Sequence, residues 1–288
     1  MGSPARIPSL GRRLSRGWPL LFVALLGVIA MGCEPQAEPV TSGGEAAPGV
    51  PPAAGGWWKP AVGADWQIQL TTPVDQSFNV PIYDIDGESN SAAVVSALHA
   101  KGRKVICYID VGGAESYRSD FSLIPKSTLG NVVDGWPDER WIDVRQIDKL
   151  LPVMAARMDM CKSKGFDAVD PDMVEAYAAD SGFPITYQDQ LTFNRWIANL
   201  AHDRGMAVGL KGDVDQVKDL VSSFDFVVNE QCAQYDECAT VAAFAQAGKP
   251  VFHIEYDLSK SQYCSESDAL HFSSLRKNLS LDAWSDPC

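Results

Sequence analysis

The chain has 288 residues, 46% of them hydrophobic and 21% charged, with a formal net charge of −13. The length allows one large domain or two small ones, and the composition supports a packed core and excludes a wholly disordered chain. No basic patch emerges, so nucleic acid is a poor partner; an acidic surface suits a cationic ligand, although acidity also serves solubility alone.

The first element in the chain is a targeting segment. Arg6, Arg12, Arg13 and Arg16 precede an apolar stretch of 14 residues, 18–31. That stretch is short for a membrane span and suited to the central region of a signal. It ends in Ala30-Met31-Gly32-Cys33, which resembles a bacterial lipobox with Ala30 where Leu is usual. Residues 1–32 are therefore read as a signal peptide and Cys33 as a lipidation candidate. Removing them leaves 20 basic and 37 acidic side chains, a net charge of −17. Residues 33–56 are rich in Pro, Ala and Gly and read as a flexible linker. The expectation is an exported protein, secreted or held at a membrane only through a lipid anchor, with its folded domain at 57–288.

Eight short apolar runs then follow: 66–70, 80–86, 104–110, 140–144, 166–170, 206–211, 224–230 and 250–256. Several are near-continuous in Val and Ile, the pattern of parallel strands covered by helices on their outer face. Helical spacing appears between them. Segment 91–101 stops at Gly102, 149–164 at Gly165, 187–204 at Gly205 and 237–247 at Gly248, and the third opens on Thr186 with Asp189 in capping-box position. Helix, glycine and strand thus repeat four times, which signals βαβ units. The predicted fold is α/β, a single (β/α)8 TIM-type barrel. Two features sit poorly with it: 71–79 is too short for a helix, and 112–139 reads as a long loop over the active face. The alternative is an open doubly wound sheet, although no glycine-rich phosphate loop follows the first strand.

Most of these runs end in a charged group: Asp86, Asp110, Asp143, Asp170 with Asp172, Lys211 with Asp213, Glu230, and Glu255 with Asp257. In a parallel barrel those ends share one face, the face that carries active sites, and paired carboxyl groups there suit acid/base chemistry on a sugar. Asp also caps helices, the better reading for Asp143, Asp213 and Asp257. Asp84 and Asp167 serve structure equally well. Glu is a poor cap, so Glu230 is harder to dismiss. A buried Lys211 must pair with one of the carboxylates.

Six cysteines besides Cys33 remain, at 107, 161, 232, 238, 264 and 288. An even number in an exported chain favours disulfides, in any of 15 connectivities, with Cys232–Cys238 the best local pair and Cys264–Cys288 a pin for the C-terminus. The four His lie in no ligand spacing with these cysteines, so no metal is expected, and no cofactor motif occurs.

Three blocks carry a family resemblance. The motif Lys164-Gly-Phe-Asp-Ala-Val-Asp-Pro-Asp-Met-Val174 resembles the fifth-strand motif of glycoside hydrolase family 114, the endo-α-1,4-polygalactosaminidases. Gly209-Leu-Lys-Gly-Asp213 is similar to its sixth-strand motif, and Val228-Asn-Glu-Gln-Cys-Ala-Gln-Tyr-Asp-Glu-Cys238 to its seventh. Segments 80–86, 105–108 and 135–143 are also similar. The resemblance implies a TIM-type barrel that hydrolyses internal α-1,4 linkages of galactosamine polymers, with catalytic residues at Asp172 and Glu230. The residues alone leave Asp170 and Asp172 tied; the family motif favours Asp172. Met173 departs from the family, which commonly has Asn there, a residue suited to orienting the carboxylate or binding sugar. The expected substrate-binding residues are Asp86, Tyr108, Asp110, Asp170, Lys211, Tyr235 and Glu255. Of these, the acids Asp86, Asp110, Asp170 and Glu255 would form a ring for the sugar amines. Trp136 and Tyr235 are candidates for stacking on sugar, and Trp141 for the core. Competing readings are a non-catalytic surface lipoprotein that binds aminosugar polymer and a barrel glycosidase of other specificity.

Overall fold

The computed structural model describes residues 56–288, so the expected signal, the lipidation candidate Cys33 and almost all of the linker lie outside the described residues. The elements run β1 (Trp66–Gln69), β2 (Ile82–Asp86), α1 (Ala92–His99), β3 (Lys104–Asp110), β4 (Gly113–Glu115), β5 (Leu129–Val133) and β6 (Trp136–Ile142). They continue α2 (Ile147–Lys164), β7 (Ala168–Asp172), α3 (Tyr187–His202), β8 (Ala207–Lys211), α4 (Val217–Leu220) and β9 (Phe226–Glu230). The last are α5 (Cys238–Val241), α6 (Ala243–Gln246), β10 (Val251–Glu255), α7 (Lys260–Ala269), β11 (Ser273–Lys277) and β12 (Ser285–Pro287).

One sheet follows the order β1-β2-β3-β7-β8-β9-β10-β11-β12. Its first eight strands pair in parallel and β12 pairs antiparallel with β11. This is a (β/α)8 barrel. Side chains alternate across each strand, and that alternation divides the core in two. Trp66, Ile68, Ile82, Ile106, Ala168, Ala207, Phe226, Val228, Phe252 and Ile254 fill the barrel interior. Tyr83, Ile85, Val105, Cys107, Val169, Val208, Leu210, Val227 and Val251 pack outward with the helices. Counting by two along the inner face, the interior turns polar toward the C-terminal ends: Asp84 and Asp86, Tyr108 and Asp110, Asp170 and Asp172, Lys211, Glu230.

Segment 140–144 is not a barrel strand. It falls largely in β6, which pairs antiparallel with β4 and β5 in a separate three-stranded sheet built from the stretch expected to be a loop. The missing eighth strand is β11, whose Ser273-Ser-Leu-Arg-Lys277 sequence is too polar for the apolar-run criterion. Asp172 consequently stands on the fourth barrel strand and Glu230 on the sixth, not the fifth and seventh.

The Gly stops hold: Gly165 caps α2 in a left-handed conformation at φ 91°, and α3 opens with the Thr186–Asp189 capping box. Between β1 and β11 the barrel is bridged by the C-terminal segment. The Trp66 indole donates to the Ser273 carbonyl at 2.9 Å, Gln67 Nε2 to the Ala283 carbonyl at 2.8 Å, and the Leu70 amide to the Leu281 carbonyl at 2.9 Å. The disulfides are Cys107–Cys161, Cys232–Cys238 and Cys264–Cys288. At the opposite end of the barrel, Trp57 stacks on His202 with centroids 3.9 Å apart and donates to Asp225 at 2.9 Å, and Lys59 also pairs with Asp225.

Candidate active site

Two carboxylates stand at the polar end of the barrel, each held by a tyrosine. Asp172 Oδ2 accepts the Tyr108 hydroxyl at 2.6 Å, its Oδ1 accepts the Met173 amide at 2.8 Å, and the Lys211 ammonium lies 4.0 Å from Oδ2. Glu230 Oε1 accepts the Tyr256 hydroxyl at 2.6 Å. Burial, and then the neighbouring Glu230 charge, push the Tyr256 hydroxyl far above the usual phenol range, so it remains a donor. Both acids are partly exposed. The strands that carry them end in the same way: Met173 and Gln231 follow the acids at φ 65° and 62°, left-handed conformations uncommon outside glycine and concentrated at functional sites.

Below Asp172 lies a sealed polar layer. Lys211 Nζ donates to Asp170 Oδ2 at 3.4 Å and stands 5.1 Å above the Tyr108 ring. Burial alone would strip the Lys211 proton, but the neighbouring carboxylates, Asp170 first and then Asp172, raise its pKa above the ordinary lysine value, so it stays charged. Lys211 thus pairs as expected.

Of the other expected binding residues, Tyr235 is exposed. Asp86, Asp110, Asp170 and Glu255 are all buried and do not form an open ring. Asp86 receives Arg118 at 2.7 Å and Ser89 through both its amide and its hydroxyl, and Asp110 Oδ1 accepts the amides of Gly112 and Gly113. Glu255 sits on the outward side of β10, out of phase with Ile254 and Tyr256. It binds His253 Nε2 at 3.0 Å and the Ala233 and Gln234 amides, and so fastens the loop after β9 instead of facing substrate. Trp136 and Trp141 are both buried. Asp213 does not cap the following helix; its carboxylate accepts Tyr177 at 3.1 Å and Asn194 at 2.9 Å.

Sequence reasoning missed Tyr256 and Glu175. Glu175 is partly exposed, accepts the Asp213 amide at 3.2 Å, and is pushed up to about 8 by burial and by the negative charges of Asp172, Glu230 and Glu237. Asp172, Glu230 and Glu237 are likewise partly exposed, and all three act on Glu175. Tyr256, the last residue of the run 250–256, carried no sequence signal beyond its place at a strand end. Among the described residues one group, Cys232, Cys238 and His253, lies close enough to share a metal ion, but its two sulfurs form a disulfide and are not thiolates.

A (β/α)8 barrel whose C-terminal strand ends bring two oriented carboxyl groups to one face has the layout of a glycoside hydrolase. The profile of glycoside-hydrolase family GH114 matches residues 47–288, and the chain belongs to that family. It is 40% identical to Aspergillus fumigatus Ega3, solved in complex with galactosamine; the match covers 81% of this chain and 98% of that one, with a TM-score of 0.78. The glycoside hydrolase domain of PelA from Pseudomonas aeruginosa shares the fold at 12% identity and a TM-score of 0.59, over 77% of this chain and 96% of that one. A protein of Deinococcus radiodurans with no assigned activity is 29% identical over 83% of this chain and 88% of its own length.

Proposed function

We propose that this glycoside hydrolase cleaves internal α-1,4 linkages of a galactosamine-containing polysaccharide, with Asp172 as nucleophile and Glu230 as general acid/base. The supporting observation is the pair of tyrosine-held acids, Asp172 with Tyr108 and Glu230 with Tyr256. Galactosamine in the crystal structure of Ega3, at 40% identity, supports the substrate class.

In this mechanism Asp172, oriented by Tyr108 and the Met173 amide and kept ionised by Lys211, attacks the anomeric carbon. Glu230 gives its proton to the departing glycosidic oxygen. The bond to the leaving sugar breaks as the glycosyl–Asp172 ester forms. Glu230, now a carboxylate, takes a proton from water, whose oxygen attacks the anomeric carbon and frees Asp172 with net retention. The negative charges of Asp172 and Glu237, both of which act on Glu175, favour a polymer carrying ammonium groups.

NMR of the anomer first released tests the assignment: the α-anomer is expected, and the β-anomer discards the nucleophilic role of Asp172. D172N and E230Q are each expected to lower kcat by on the order of a thousandfold or more with folding intact; unchanged turnover in either ends its candidacy.

Export is part of the same reading. Three disulfides belong in an oxidising compartment, and a signal at residues 1–32 with Cys33 as lipidated terminus and 33–56 as linker would place the 57–288 domain there. Among the described residues no helix is long and apolar enough to cross a membrane.

A further inference from the structure

Asp84 is a buried acid that the proposed mechanism does not use. It lies on the inner face of β2, fully buried, and neither of its carboxyl oxygens receives a hydrogen bond from a donor among the described residues. An ionised carboxylate in that position would bear the full cost of desolvation. The group in hydrogen-bond reach is the carboxyl of Asp170, on β7. Asp170 is equally buried, meets Lys211 through Oδ2, and has no donor to its Oδ1. Two carboxylates repel, and two carboxyl groups bond only when one holds a proton. The charges facing this pair are Lys211 from β8, Asp172 from β7 and Glu230 from β9, with the Tyr108 ring of β3 under the ammonium. One ammonium cannot neutralise Asp84, Asp170 and Asp172 together. Burial, then the Asp170 charge, raise Asp84 well above the usual carboxylate range, while Asp170, with Lys211 opposing its burial, is raised only to about 6. The proton therefore resides on Asp84.

We propose that Asp84 is a positioning residue: as a neutral acid it donates to Asp170 and, through Asp170 and Lys211, keeps the Asp172 carboxylate ionised and in place. With Asp84 donating to Oδ1, Asp170 is partly satisfied and the Lys211 ammonium at 3.4 Å remains available to Asp172 at 4.0 Å. Without that donor, Asp170 draws the ammonium to itself and Asp172 loses its cation. The proposal rests on Asp172 being the nucleophile only for its effect on turnover; the protonation of Asp84 stands independently.

The test has two arms on the full-length protein. Infrared difference spectra of wild type against D84N, with aspartate carboxyl carbons isotopically labelled, should show a protonated carboxylic acid at pH 7 that the variant lacks. No such band in the wild type overturns the proposal, whether or not the variants fold. The second arm is kcat/KM against pH for wild type, D84N and D84L. Asn supplies a neutral donor of the same shape, so the acid limb should stay in place with turnover within a few-fold. Leu supplies none, so the limb should rise by about one pH unit and kcat fall about tenfold with KM little changed. An acid limb that moves down in D84N means Asp84 was ionised, and a wild-type profile in D84L means it acts on nothing; either result overturns the proposal. Active D172N enzyme would instead remove the assigned nucleophile while leaving the infrared result to stand.

Discussion

At the scale of single residues, the site depends on two hydroxyl donors, Tyr108, which the family resemblance marked as a binding candidate, and Tyr256, which the sequence did not mark. Tyr108 and Tyr256 each reach one acid at 2.6 Å, and a hydrogen bond to a charged group contributes about 1.5–3 kcal/mol. Y108F and Y256F are each expected to lower kcat by about tenfold to a hundredfold at nearly unchanged thermal stability, read from steady-state kinetics beside melting curves. Asp225 is a residue of stability instead. Against the cost of burial, hydrogen bonds from His202, Lys59 and Trp57 hold it at about 2, below its ordinary 3.8. A depressed folded-state pKa contributes stability that is present above 3.8 and lost as pH falls toward 2. D225N should therefore be less stable than wild type by about 2 kcal/mol near neutrality, and the gap should close between pH 4 and pH 2 in denaturant titrations. A gap independent of pH would show that the carboxylate charge is not what matters.

At the scale of elements, the strand ends show why the chain bends where it does. Gly112 passes so close to the end of β7 that an added Cβ would lie 1.6 Å from the Met173 carbonyl oxygen, which leaves room only for glycine. Met173 itself turns left-handed at φ 65° directly after Asp172. The Asn common in the family at this position tolerates that conformation better than Met, which gives a backbone reason for it beside orienting the carboxylate or binding sugar. M173N is expected to raise stability by about 0.5–1 kcal/mol, measured by chemical unfolding; a destabilised variant would mean that the packing of the Met side chain outweighs the backbone preference. The helix boundaries were readable because glycine stops and a capping box are local signals. The three-stranded β4-β6-β5 sheet was not, because its strands come from a glycine- and proline-broken stretch whose pairing depends on partners far along the chain.

For the molecule as a whole, closure depends on the C-terminus. The segment after β11 supplies the carbonyls that meet Gln67 of the first strand and Leu70 just past it, and Cys264–Cys288 ties residue 288 to α7. Cross-linking residues 24 apart restricts the unfolded chain by an amount worth about 3 kcal/mol. Replacing Cys264 and Cys288 with Ser should lower stability by that order, and hydrogen exchange should rise in β11, β12 and β1 before the rest of the barrel. Uniform exchange across all strands would show that the seam is not the weak point.

The sequence by itself marked seven of the eight barrel strands as apolar runs, the glycine-stopped helices, two candidate disulfide pairs among 15 connectivities, and Asp172, Glu230 and Lys211 as candidates at strand ends, because each is written in local pattern or short motif. Only the tertiary structure decided which runs close the barrel, that Glu255 faces outward, that the expected acid ring is buried, and that Tyr256, Glu175 and Asp84 surround the two acids. Those outcomes depend on strand phase and on neighbours brought together from distant parts of the chain, and burial acts on charge only once those neighbours are in place.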